Sequence, residues 1–250
     1  PVKEGDVPDG CRHLGKPVIV HQRARRHGPR GLDADETHAT VATITMTVGL
    51  PPTVKGTHMS RFIEIMEAQH EPLDLAGIKA LYDHMRHRLG ASSGRIEFDF
   101  PYFIRKQAPV SRVDSLIDID AGIMVSGQDT GETDLMLKVV VPVTSLCPCS
   151  KEISAYGAHN QRSHITIMAT LNEGVALTLE DLVSMAEQEA SCEVFGLLKR
   201  PDEKWVTERA YDNPKVVEDL VRDIALRLKQ ESRVARWSVS SENFESIHNH

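Results

Sequence analysis

Between residues 39 and 50 the sequence reads ATVATITMTVGL, in which Ala42, Ile44, Met46 and Val48 alternate strictly with Val41, Thr43, Thr45 and Thr47. A period of two puts successive side chains on opposite faces of a strand, and the β-branched residues stiffen it. The segment predicts a half-buried strand, ended by Pro51 and Pro52. The pattern returns in RIEFDFPYFIRK, where Ile96, Phe98 and Phe100 share a face, and in LIDIDAGIMVSG, where Ile117 and Ile119 alternate with Asp118 and Asp120. Strands with one polar face belong to antiparallel sheets whose other face is covered by helices. The turn-like GQDTGETD precedes a further strand in DLMLKVVVPV.

The covering helices are visible too. SRFIEIMEAQ and LDLAGIKALYDHMRHRL follow the first strand, and Leu75, Ile78, Leu81, Tyr82, Met85 and Leu89 recur at helical spacing before a stop at Gly90. The second half repeats the order. Strands at 134–143 and 164–171 precede a helix opening at Thr178, with Asp181 placed for a capping box. Another helix is expected from Asn213-Pro214, burying Val217, Leu220, Val221, Ile224 and Leu228, before a closing strand VARWSVSSENF. The reading is an α+β fold of two tandem units, each an antiparallel sheet with a helix pair on one side. Residues 37–130 form the first unit and 131–250 the second. Residues 1–36, rich in Gly, Pro and charge and including HQRARRHGPRG, are expected to be an extended or mobile arm.

Charge narrows the function. A net charge of −7 disfavours a general nucleic-acid binder, which needs a dominant basic face, but leaves room for a small anion held by a few Lys and Arg. The sequence shows no apolar run of membrane-span length and no signal-peptide core, so a cytoplasmic location is the expectation. The four cysteines, with Cys147 and Cys149 two apart, form no disulfide framework and point to reduced thiols.

The chemistry concentrates in SLCPCSKEISAYGAHNQRSH, directly after a strand. Cys147 and His159 lie twelve residues apart across a loop containing Pro and Gly. A thiolate and an imidazole suit zinc or another borderline transition metal. Cys149 is open to several roles: acid or nucleophile activated by Lys151, second metal ligand, or disulfide partner of Cys147. A second cluster, GLLKRPDEKWVTERAYDNPKVVEDL, places Lys199, Arg200, Glu203 and Glu208 in what reads as a long charged loop between two helices. The terminus carries Glu245, His248 and His250 just past a strand.

Four stretches resemble GTP cyclohydrolase type IB, the prokaryotic form distinct from the type I enzyme: KGTHMSRFIE at 55–64, SLCPCSKEISAYGAHNQRSH at 145–164, GLLKRPDEKWVTERAYDNPKVVEDLVRD at 196–223 and ENFESIHNH at 242–250. The resemblance implies the tunnelling fold, in homotetramers with active sites at subunit interfaces. It implies a divalent metal (Zn, Mn or Fe) on Cys147, His159 and Glu203, the last chosen over Glu193 and Glu208. It makes Glu218 the anchor of the guanine edge, and Lys199, Arg200, Arg162, His58 and Arg61 candidates for the triphosphate. Metal-activated water would attack C8 of GTP, and Cys149, Glu245, His248 and His250 would move protons through ring opening, formate release and closure to dihydroneopterin triphosphate, feeding pterin and folate synthesis or modified deazapurine nucleosides. Two rivals use similar residues: a tunnelling-fold reductase of a deazaguanine nitrile, which needs NADPH and no metal, and a non-catalytic, metal-stabilised purine-binding module.

Overall fold

A computed structural model describes residues 12–22, 36–49, 58, 60–69, 73–127 and 133–249. Pro51 and Pro52, most of the GQDTGETD turn and His250 lie outside the described residues. The rest fall into two compact units, one from within Pro1–Pro101 and Gly122–Met136, the other from Tyr102–Ala121 and Leu137–His250. The division cuts across three long strands, β3 (Ser93–Gln107), β4 (Asp114–Gly127) and β5 (Thr133–Leu146), rather than falling near residue 130.

In the first unit β1 (Arg12–Gln22) runs antiparallel to β2 (Glu36–Gly49), pairing Arg12 with Met46 and Gln22 with Glu36. Part of the expected arm is therefore a strand. β2 pairs in turn with β3, from Thr43 opposite Asp99 to Gly49 opposite Ser93. Ala42, Ile44, Met46 and Val48 are buried while Val41 is exposed, as a period of two requires. α1 (Ser60–Glu67) buries Phe62, Ile65 and Met66, and α2 (Leu75–Leu89) buries Ile78, Leu81, Tyr82, Met85 and Leu89. Asp74 caps α2 by accepting from the Gly77 N–H at 2.7 Å. Gly90 ends it with φ 59°, a left-handed conformation in which a side chain would be strained. Tyr82 donates its hydroxyl to the Gly127 carbonyl at 3.1 Å.

In the second unit the strand order is β3, β4, β5, β6 (Asn160–Leu171), β8 (Val234–Phe244), with the short β7 (Cys192–Glu193) paired to the end of β5. β6 and β8 stay in register from Arg162 opposite Phe244 down to a bulge near Leu171. α4 (Leu179–Glu189) opens with the expected Thr178–Asp181 capping box. Two expectations change here. The charged stretch read as a loop is the helix α5 (Arg200–Asp212), so three helices rather than a pair separate β6 from β8. α6 (Val217–Gln230) begins at Val217, not at Asn213-Pro214, and the Asn213 amide instead donates to the Ala190 carbonyl at 2.8 Å.

Candidate active site

At the end of β5 the chain turns into α3 (Pro148–Ile153), with Cys147 as its N-cap. Pro148 suits the first helical position, where no N–H is needed. Cys147 Sγ accepts from the Ser150 N–H at 3.4 Å. The Ser150 hydroxyl donates to the Cys147 carbonyl at 3.1 Å and accepts the His159 N–H at 3.2 Å. The Cys147 N–H donates to the His159 carbonyl at 3.2 Å. These bonds fold the intervening residues into a closed loop and make the backbones of the two candidate ligands neighbours. Burial pushes the Cys147 thiol up, but the Ser150 and Cys149 hydrogen bonds outweigh it and hold the group below its ordinary value.

β8 brings the C-terminal residues to the same place. Glu245 Oε1 accepts the N–H groups of Ser246 at 2.8 Å and Ile247 at 2.9 Å, closing a tight turn. His159 Nδ1 lies 3.1 Å from Ser246 Oγ and 3.9 Å from Glu245 Oε1. The Ile247 N–H, opposed by burial and joined by the Ser246 N–H, His159 and His248, holds the Glu245 carboxyl below its ordinary value. The other imidazole of the loop is used in packing: His164 meets Phe244 edge-on, ring centres 4.8 Å apart.

α5 packs beside this loop. Trp205 and Val206 lie, with Ala158, against the buried cluster of Leu146, Cys192 and Ala210, so the helix shares one apolar cluster with the residues immediately before Cys147 and His159. Its start is fixed at two points. Gly196 approaches β4 so closely that a Cβ there would sit 2.5 Å from the Leu116 carbonyl oxygen. Asp202, 0% exposed, accepts from the Val110 and Ser111 N–H groups, both at 2.8 Å, from the Ser111 hydroxyl at 2.6 Å and from the Lys199 N–H at 2.8 Å. Burial pushes this carboxyl up, but the Ser111 hydroxyl and the three N–H donors hold it well below the usual carboxylate range.

A carboxyl whose folded pKa is depressed stabilises the fold above its unfolded pKa of about 3.9, and that contribution is lost as pH falls through the lower folded value. Asp202→Asn, which cannot accept at both side-chain atoms, is expected to lower the Tm at neutral pH. The gap to wild type should narrow below about pH 4 in thermal melts. A gap that does not change with pH would show that the ionised carboxylate is not what holds the helix start.

The remaining candidates are spread more widely. Glu203 is on the first turn of α5 with its side chain 54% exposed, accepting from Arg200 Nη1 at 3.2 Å. Glu193 is engaged by Arg209 at 3.1 Å, and Glu208 by Lys204 at 3.7 Å. Lys199, Arg200 and Arg162 are exposed. Glu218 is exposed on the first turn of α6 and has no hydrogen bond or ion pair among the described residues. His58 and Arg61 belong to the first unit, where Arg61 donates to the Arg88 carbonyl at 3.5 Å. Cys149 is exposed on α3. Lys151 is engaged by Tyr211, donating to its carbonyl and lying 4.0 Å from the centre of its ring.

The chemistry of the paired donors suits a divalent metal. A thiol biased towards the thiolate is joined through its backbone to a histidine whose Nδ1 is occupied, which leaves Nε2 for coordination. Among the described residues no three His, Cys, Asp or Glu side chains gather closely enough to hold a metal by themselves. Ser150 and Ser246 escape the sequence reading, which takes Asp202 only as one member of the charged run between the two C-terminal helices. Pro148 suits a first helical position and is the one local signal for the turn that Ser150 closes.

Sheet and helices define a tunnelling-fold protein. A hyperthermostable variant of Bacillus sp. TB-90 urate oxidase shares the fold at a TM-score of 0.50 and 10% identity, over 93% of this chain and 89% of its own. The chain belongs to the FolE2 family: the family model described as type I GTP cyclohydrolase folE2 matches residues 14–250. A protein named GTP cyclohydrolase FolE2 1, from Dechloromonas aromatica (strain RCB), is 66% identical over 217 residues, covering 87% of this chain and 81% of that protein. GTP cyclohydrolase FolE2 2 from Cupriavidus metallidurans (strain CH34) is 59% identical over 248 residues, covering 98% and 92%. Among the described residues no helix is long and apolar enough to cross a membrane.

Proposed function

We propose that the chain hydrolyses GTP at C8, releasing formate and forming 7,8-dihydroneopterin triphosphate, the entry step of pterin and folate synthesis. The observation that carries the site assignment is the pairing of Cys147 with His159 in a chain of the FolE2 family. Cys147, His159 and Glu203 would hold a divalent metal (Zn, Mn or Fe), Glu203 being carried on the helix packed beside the other two. The metal supplies Lewis-acid activation of water when bound. The relatives do not favour the nitrile reductase or the non-catalytic module.

The other roles fall to the chain itself. Cys149, exposed in the first turn of α3, would donate and recover a proton at Sγ as the imidazole ring opens. His248, whose charge Glu245 senses, would exchange protons with solvent, with His250 following it. Glu218 would accept two parallel N–H bonds from the guanine edge. Lys199, Arg200, Arg162, His58 and Arg61 would meet the triphosphate. Assembly as a cytoplasmic homotetramer, with sites completed between subunits, belongs to the same proposal. It is supported by the apolar residues standing exposed around the donor pair: Ile153 at 86%, Tyr156 at 102% and Ile247 at 62%.

Glu218→Ala is expected to weaken GTP binding with metal content unchanged, by about 1.5–3 kcal/mol for each charge-assisted bond lost. An unaltered affinity in equilibrium binding would return Glu218 to the helix surface.

A further inference from the structure

An imidazole that binds a metal through one nitrogen must carry its proton on the other, and the partner of that second nitrogen sets both tautomer and ring orientation. In His159 the fold occupies Nδ1. Ser246 Oγ lies 3.1 Å away, and Glu245 Oε1 stands at 3.9 Å from the same atom. A hydroxyl donates and accepts equally well, so the serine alone admits either tautomer. A carboxylate oxygen only accepts, and its approach to Nδ1 favours a proton there.

The hydroxyl is delivered by built structure. β8 keeps its register with β6 as far as Phe244 opposite Arg162, two residues short of Ser246. Glu245 Oε1 then gathers the N–H groups of Ser246 and Ile247 at 2.8 and 2.9 Å, which turns the chain so that the serine side chain meets the ring. We infer that Ser246, held by the Glu245 turn, is a positioning residue that fixes His159 as the Nδ1–H tautomer and presents Nε2 to a divalent cation. The inference rests on the reading of His159 as a metal ligand.

The test is the Zn²⁺ affinity of the purified full chain, measured by competition with a chromophoric chelator for wild type, S246A, S246T and H159A. S246A should bind Zn²⁺ about 10–100-fold more weakly, the usual effect of removing a partner of a ligating histidine. S246T, which keeps the hydroxyl, should recover most of the loss. If S246A binds like wild type while H159A does not, Ser246 has no positioning role and the ligand reading stands. If S246T fails to recover, the loss is one of turn structure rather than of the hydroxyl, and the inference falls. If H159A itself binds like wild type, the ligand reading fails and takes the inference with it.

Discussion

Cys147→Ala and His159→Ala should each leave the purified chain without stoichiometric metal and without measurable turnover of GTP. Outer-shell partners of metal ligands are worth about 10–100-fold, so loss of a direct ligand, which removes a donor and the geometry together, should exceed that range. Cys147 has a second duty that the comparison must separate, since its Sγ caps α3 through the Ser150 N–H. Cys147→Ser keeps an oxygen for the cap but replaces the soft donor, and is expected to fold like wild type while still losing affinity for zinc. Metal analysis of the three purified variants, beside their turnover, decides the matter. Full metal occupancy with a normal rate in either alanine variant would remove that residue from the ligand set.

Cys149→Ala should behave differently, keeping its metal and its affinity for GTP while kcat falls by about 10²–10⁴-fold, the usual contribution of a positioned acid or base. The structure separates the two thiols by local role. Cys147 caps α3, is partly buried and is paired through its backbone with His159, whereas Cys149 stands exposed on α3. An interaction made only in the transition state lowers kcat without touching ground-state binding. If metal content falls with the rate, Cys149 is a ligand and the division of labour between the thiols is wrong.

Local signals in the sequence foretold the strands other than β1 and β7, and most helices, because their information is local. The alternation around Ile44 and Met46, the Gly90 stop and the Thr178–Asp181 cap each act over a few residues and appear as expected. α5 was hidden by its own composition. Only Asp202 and Ala210 are buried on it, so it shows no apolar stripe and reads as a solvated charge run. Asn213-Pro214 resembles a helix start, but the Asn213 amide serves the distant Ala190 carbonyl instead.

The site divides in the same way. Cys147 and His159 stand out because unusual residue types sit close together in sequence. The groups that hold His159 and the neighbouring helix in place do not, since Ser246 meets His159 from 87 residues away and Asp202 meets Val110 across 92. No local pattern announces a serine or an aspartate whose partner is brought by sheet register. The same reason separates Lys151 from the expected role beside Cys149: its partner, Tyr211, arrives with the end of α5.

The most direct measurement incubates the purified chain, stripped of metal and then reconstituted with Mn²⁺ or Zn²⁺, with GTP, and follows formate together with the fluorescent pterin that appears after oxidation. We expect formate and pterin in equal amounts, only after metal is restored. A folded, metal-loaded chain that binds GTP yet releases no formate would contradict the assignment.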